Sequence, residues 1–154
     1  MTTIAFDGRI LAADSQATAG NIKTFDAVKV RIVEIAQEGS HKGEKHYVAC
    51  CGDMASARAF CDWYRDQAGS VYPKLEEDFH ALAIAPHGIA EYWDRLPYGV
   101  AAHAPVAIGS GKQIALGAMA AGKNAIEAVE IAKQHDCFTG GEVKHWEVKF
   151  DPTP

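Results

Sequence analysis

Thr2-Thr3-Ile4-Ala5-Phe6-Asp7-Gly8-Arg9-Ile10-Leu11-Ala12-Ala13-Asp14-Ser15-Gln16-Ala17-Thr18 opens the chain after Met1. Asp7-Gly8 between two apolar runs is a strong hairpin signal, because such a pair tolerates the positive φ that tight two-residue turns require. With those two residues as the loop, Phe6 faces Arg9, Thr3 faces Ala12 and Thr2 faces Ala13. Asp14 then lies beside the chain terminus. A hydroxyl residue next to the start codon is thereby held against a carboxylate from the neighbouring strand. Removal of Met1 would make Thr2 the free N-terminus. Its α-amine, with an ordinary pKa of about 7.7–8.0, is partly a neutral base near pH 7. A threonine hydroxyl activated by its own amine is an established nucleophile–base pair. The same residues also fit an ordinary hairpin in which Thr2 plays no part.

Further along, Val28, Val30 and Ile32 alternate with Lys29, Arg31 and Val33, the period-two pattern of a strand. A polar stretch with Gly39 and Gly43 turns the chain, and 46–51 is the returning strand. Asp53 is placed to cap a helix over 54–67, whose Ala55, Ala59, Phe60, Trp63 and Tyr64 recur at helical spacing. The pattern breaks over 69–73. Pro86-His87-Gly88 separates strands at 79–85 and 89–93, a third hairpin. The stretch 94–105 reads as a loop able to border a groove. An alanine-rich helix is expected over 114–121, ended by Gly122. Asn124 is placed to cap the next helix, with Ile126, Val129 and Ile131 on its apolar side. A last strand runs over 143–150, and 151–154 reads as a frayed tail. Strands, helix, strands, two helices and strand suggest mixed α/β layers on antiparallel hairpins, without fixing how they stack.

The chain has 154 residues, 48% of them hydrophobic and 23% charged, as expected for one soluble domain (1–154) with a sizeable core. A formal charge of -5 argues against a general nucleic-acid binder. No basic leader with a long apolar run precedes the first hairpin, and no stretch reaches the roughly 18 apolar residues of a membrane span. On that reading the protein is cytoplasmic, and Cys50, Cys51, Cys61 and Cys137 are reduced thiols.

Several blocks together resemble the proteasome β-subunit family, and most of all its bacterial HslV-type branch. They are Thr2-Thr3-Ile4, Ala12-Ala13-Asp14-Ser15-Gln16-Ala17-Thr18, Lys29-Val30, Gly52-Asp53, Ala107-Ile108-Gly109-Ser110-Gly111 and Asp136-Cys137-Phe138-Thr139-Gly140-Gly141. They occur in family order across nearly the whole chain. The resemblance implies an α+β fold, the four-layer αββα sandwich of the N-terminal-nucleophile hydrolases. It implies a threonine peptidase subunit in a homo-oligomeric ring that cleaves peptide or unfolded protein. It also implies a possible AAA+ ATPase unfoldase as partner, and no organic cofactor.

Carried over residue by residue, the resemblance makes Thr2 the nucleophile and Asp14 the carboxylate that fixes the amine. Lys29 matches the lysine beside the hydroxyl, where a cation favours the alkoxide-like form. Ser110 matches a residue that hydrogen-bonds near the threonine amine; otherwise it is a turn serine capping the next helix. Asp136 and Thr139 match the supporting acid and hydroxyl; otherwise they cap their own loop. The oxyanion hole is the weakest match. Where many members have glycine, the backbone amides here belong to Ala49 or Cys50, which still supply a donor.

Other chemistries fit less well. Gly111-Lys112 lacks both the first glycine and the magnesium-binding hydroxyl of a phosphate loop: Val106 and Gln113 stand there. Cys50 and Cys51 are adjacent in a strand and point to opposite faces, so they are no zinc pair. Nothing local to Cys61 or Cys137 predicts a low-pKa thiol. The histidines, including His41, His80 and His103, show no ligand spacing. Two alternatives of the same fold stay open. One is a non-catalytic ring subunit, in which a retained Met1 would block the amine. The other is an amidase acting on small amides.

Overall fold

A computed structural model describes residues 2–19, 21–66 and 71–150. In chain order the elements are β1 (Thr3–Phe6), β2 (Ile10–Ala13), β3 (Ala17–Ala19), β4 (Ile22–Thr24), β5 (Val30–Glu34), β6 (Lys45–Cys51) and α1 (Met54–Asp66). Then come β7 (His80–Ala85), β8 (Gly88–Trp93), β9 (Val100–Ala102), β10 (Val106–Gly109), α2 (Lys112–Ala120), α3 (Ala125–His135) and β11 (Lys144–Glu147). The chain divides into two units, one built from residues 1–29 and 103–154, the other from 30–102.

In the first unit β1 and β2 form the expected hairpin, but its register is shifted by two residues. Phe6 lies opposite Leu11 and Ile4 opposite Ala13. Asp7 is the cause. Its Oδ1 accepts the amides of Arg9 at 2.8 Å and Ile10 at 2.7 Å, and its own N–H donates to the Ile10 carbonyl at 3.2 Å. The side chain satisfies donors that a two-residue turn would have left to the ladder, so Arg9 drops out of pairing. Gly8, at φ +104°, supplies the left-handed residue. An even shift keeps every side chain on its face. It does bring Thr3, rather than the terminus, opposite Asp14, whose amide donates to the Thr3 carbonyl at 3.2 Å.

The sheet has the order β10-β1-β2-β11, with every pairing antiparallel. One face carries Ala5, Ile10, Ala12 and Ala107, and packs against Ala115 and Met119 of α2 and Ala125, Ala128 and Val129 of α3. Small side chains let the helices lie close to the strands. The expected apolar side of α3 holds in part: Val129 is buried and Ile126 packs against the core, but alanines carry the rest of the face. Its buried stripe is Ala125, Ala128, Val129 and Ala132, and the bulkier Ile126 and Ile131 are only half-buried at its flanks. Asn124 caps α3 as expected: its Oδ1 accepts the Glu127 amide at 2.9 Å, and the Glu127 carboxylate accepts the Asn124 amide at 3.1 Å. Asp7 also contributes here, since its Oδ2 accepts the Ala125 amide at 2.9 Å. The β3–β4 pair was not anticipated. β11 is shorter than the strand expected over 143–150, and the tail at 151–154 lies outside the described residues.

The second unit is a meander of order β5-β6-β7-β8-β9 with α1 on one face. Phe60, Trp63 and Tyr64 of α1 pack with Val33, Val48, Leu75, Phe79 and Ala81. Asp53 caps the helix through the Ser56 amide at 2.5 Å. Within the described residues α1 ends at Asp66; the expected end at Gln67 and the first part of the break at 69–73 fall outside them. Ala85 pairs with Gly88, which confirms the third hairpin. β9 corrects the expected loop over 94–105, because Val100–Ala102 pairs with β8. No helix among the described residues is long and apolar enough to cross a membrane.

Candidate active site

Thr2, Asp14, Lys29, Ser110, Asp136 and Thr139 all belong to the first unit. Four segments of that unit present them: the β1–β2 hairpin, the approach to β5, the turn after β10 and the loop after α3.

Asp14 is fully buried, and an unpaired buried carboxylate would be expensive. Its oxygens are therefore occupied. Oδ1 accepts the Thr3 amide at 3.1 Å and the Lys29 ammonium at 2.7 Å, and also the Thr2 hydroxyl. Oδ2 accepts the Gly140 amide at 3.0 Å. Lys29 Nζ donates to the Thr2 hydroxyl as well as to Asp14, so cation, hydroxyl and carboxylate form a closed triangle. The Ala27 amide donates to the Ser15 carbonyl at 3.0 Å, which ties the segment before Lys29 to the end of the hairpin. Thr2 itself is 2% exposed in the chain that carries Met1.

A second network lies behind the first. Asp136 Oδ2 accepts the Ser110 hydroxyl at 2.5 Å and the Thr139 hydroxyl at 2.6 Å, and Oδ1 accepts the Phe138 amide at 3.2 Å. Because Thr139 has one hydroxyl proton and gives it to Asp136, the 2.7 Å contact between Thr3 Oγ1 and Thr139 Oγ1 has Thr3 as donor. Ser110 Oγ is also 3.3 Å from the Thr2 carbonyl, but its single proton goes to the shorter, charge-assisted bond with Asp136. Burial pushes the Asp136 carboxyl upward, yet the bonds from Ser110, Thr139 and Phe138 outweigh it and hold the group below its ordinary value. The alternative role for Ser110 is not observed: α2 has no side-chain cap, and Gly111 occupies that position. Asp136 does cap its own loop through Phe138, in addition to binding the two hydroxyls.

Sequence reasoning missed Thr3 and Gly140 as parts of this arrangement. Strand alternation points Thr3 away from Thr2, and that signal was readable. Two glycines lie in close approach, Gly111 against the short Thr3 side chain and Gly140 against the end of the flexible Gln16 side chain. A Cβ on Gly111 would sit 2.0 Å from Thr3 Oγ1, and one on Gly140 would sit 2.3 Å from the Gln16 side-chain oxygen. Ala49 and Cys50 lie in β6, in the second unit; Ala49 pairs with Val30 and Leu82, and Cys50 with Ala81. All four cysteines are free thiols. The second unit also brings His41, Glu44 and His87 together, which sequence spacing did not reveal because His87 comes from a different hairpin.

No protein-family model matches the sequence, and no curated protein matches it. Solved structures do. Eukaryotic HslV from Trypanosoma brucei matches with a TM-score of 0.63 at 19% identity, over 96% of this chain and 99% of that one. BPH from Thiobacillus denitrificans, solved in complex with epoxomicin, matches with a TM-score of 0.63 at 20% identity, over 98% and 99%. A further structure of that BPH gives 0.62 at 21%, over 99% of each chain. The fold is therefore the α+β fold of the N-terminal-nucleophile hydrolases. Within that class it is the fold of HslV, the proteasome-like form that the sequence blocks resemble.

Proposed function

We propose that this chain is a proteasome-like threonine peptidase subunit whose nucleophile is Thr2, exposed by removal of Met1. The observation that carries the reading is the Lys29 ammonium donating to the Thr2 hydroxyl, with both held by the buried Asp14 carboxylate. A strand lysine without a role would extend into solvent; this one is turned onto a hydroxyl beside the terminus.

In the proposed reaction the freed α-amine takes the Thr2 hydroxyl proton. Lys29 stabilises the developing alkoxide, and Oγ1 attacks the peptide carbonyl carbon. The amine then returns the proton to the leaving nitrogen as the C–N bond breaks. Water hydrolyses the resulting ester by the reverse proton path. Asp14 holds Lys29, while Ser110, Asp136 and Thr139 brace the backbone around Thr2 and Thr3. The proposal includes a homo-oligomeric ring in the cytoplasm, fed with peptide or unfolded protein by an AAA+ unfoldase. Light scattering that gave a 16.6 kDa monomer at micromolar concentration would remove the ring.

An epoxyketone tests the central claim, since it reacts with a hydroxyl and a free amine on one residue. Intact mass should show loss of one methionine, and one inhibitor adduct mapping to Thr2. A retained Met1 with no adduct would sink the reading and leave the non-catalytic subunit. Thr2-dependent turnover of small amides but not peptides would identify the amidase instead.

A further inference from the structure

We propose that the second unit carries a transition-metal site formed by His41, Glu44 and His87, apart from the chemistry assigned to Thr2. Carrying the Tyr47–Ile84 pairing of β6 and β7 on toward the strand ends sets Glu44 opposite His87, in the Pro86-His87 turn. His41 reaches the same place from the loop between β5 and β6. One ligand atom from each of the three lies within 4.8 Å of the other two. The His41 and His87 rings stack at 4.4 Å with 27° between their planes, so two imidazoles share one edge of the cluster.

Glu44 is already oriented. Its Oε1 is 3.0 Å from His41 Nδ1, and its Oε2 is 2.8 Å from Nε2 of the buried His46. The other ring nitrogen of His46 is 2.7 Å from the Tyr64 hydroxyl on α1. A carboxylate held from behind by a buried imidazole, itself anchored to a helix, is the kind of support that positions metal ligands. Two imidazoles and one carboxylate suit zinc, nickel or copper(II) rather than calcium or magnesium, which favour all-oxygen shells. Three protein ligands leave a coordination position for water. Bound there, a metal would clamp the β5–β6 loop to the β7–β8 turn, adding to the stacking of His41 on His87.

Calorimetric titration of the metal-stripped full chain with zinc chloride tests this. One zinc should bind per chain, calcium should give no heat at the same concentration, and zinc should raise the melting temperature. His41→Ala and His87→Ala should each weaken binding about tenfold or more and abolish the thermal shift. Both residues are exposed, so neither substitution endangers the fold. No zinc binding, or binding as tight in both variants as in the parent, would overturn the site. Peptidase activity does not enter the readout, so the outcome stands independently of the Thr2 proposal.

Discussion

Asp14 and Thr3 are bound to each other twice: the Asp14 amide donates to the Thr3 carbonyl at 3.2 Å, and the Thr3 amide donates to Asp14 Oδ1 at 3.1 Å. The first bond belongs to the hairpin ladder, and the second recruits the side chain. Together they fix the carboxylate against the start of β1, where it also meets Thr2 and Lys29. Position and chemistry are thus set by the same pair.

Replacing Asp14 should cost stability as well as activity, because it leaves the Lys29 ammonium, 9% exposed, without its counter-charge. Asp14→Asn is expected to lose on the order of 3 kcal/mol in urea unfolding. Adding Lys29→Met should restore most of that loss while activity stays absent. If Asp14→Asn is as stable as the parent, the buried pair has been misread.

Thr2→Ala should abolish peptide hydrolysis without unfolding the chain, since the amine alone forms no ester. Thr2→Ser should retain part of the rate, because the hydroxyl survives and only the methyl that restricts its rotamer is lost. Peptide turnover and epoxyketone labelling are the readouts. Labelling that persists in Thr2→Ala would point to a cysteine and refute the assignment.

The Asp136 network predicts a pH dependence. The folded carboxyl lies below its ordinary value of 3.8, so the unfolded chain binds this proton more readily. The stabilisation is therefore present above that ordinary value and is lost as pH falls through the lowered folded one. Thr139→Ala should cost about 1 kcal/mol at neutral pH. Its deficit relative to the parent should shrink on acidification below the ordinary value. A deficit that stays constant from neutral to acid pH would show that the bond to Asp136 is not what the substitution removes.

Gly111→Ala should break the link between the two networks. Its Cβ would fall 2.0 Å from Thr3 Oγ1 and 3.2 Å from Ala132 Cβ, a collision that β1 or α3 must relieve by moving. A loss of about 1–3 kcal/mol and of most activity is expected. Thr3→Ala in the same chain should recover part of the stability by vacating the space. Parent-like melting of Gly111→Ala would mean that the approach of this turn to β1 is looser than described.

The sequence alone was enough for elements whose cause is local. Asp7-Gly8 marked the first hairpin, Pro86-His87-Gly88 the third, Asp53 and Asn124 the helix starts, and Gly122 a helix end, each through backbone chemistry within a few residues. It also carried the blocks that named Thr2, Asp14, Lys29, Ser110, Asp136 and Thr139. The register of the first hairpin has a local cause too, Asp7 Oδ1 accepting the Arg9 and Ile10 amides, but only the tertiary structure showed that Asp7 takes this role and that its other oxygen accepts the Ala125 amide, more than a hundred residues away. Likewise, only the fold put alanines rather than isoleucines beneath α3, since helix–sheet spacing is settled by both partners. Thr3 joined Thr139, Gly140 joined Asp14, and His87 joined His41 and Glu44 for the same reason: no spacing along one segment encodes what a distant segment brings to it.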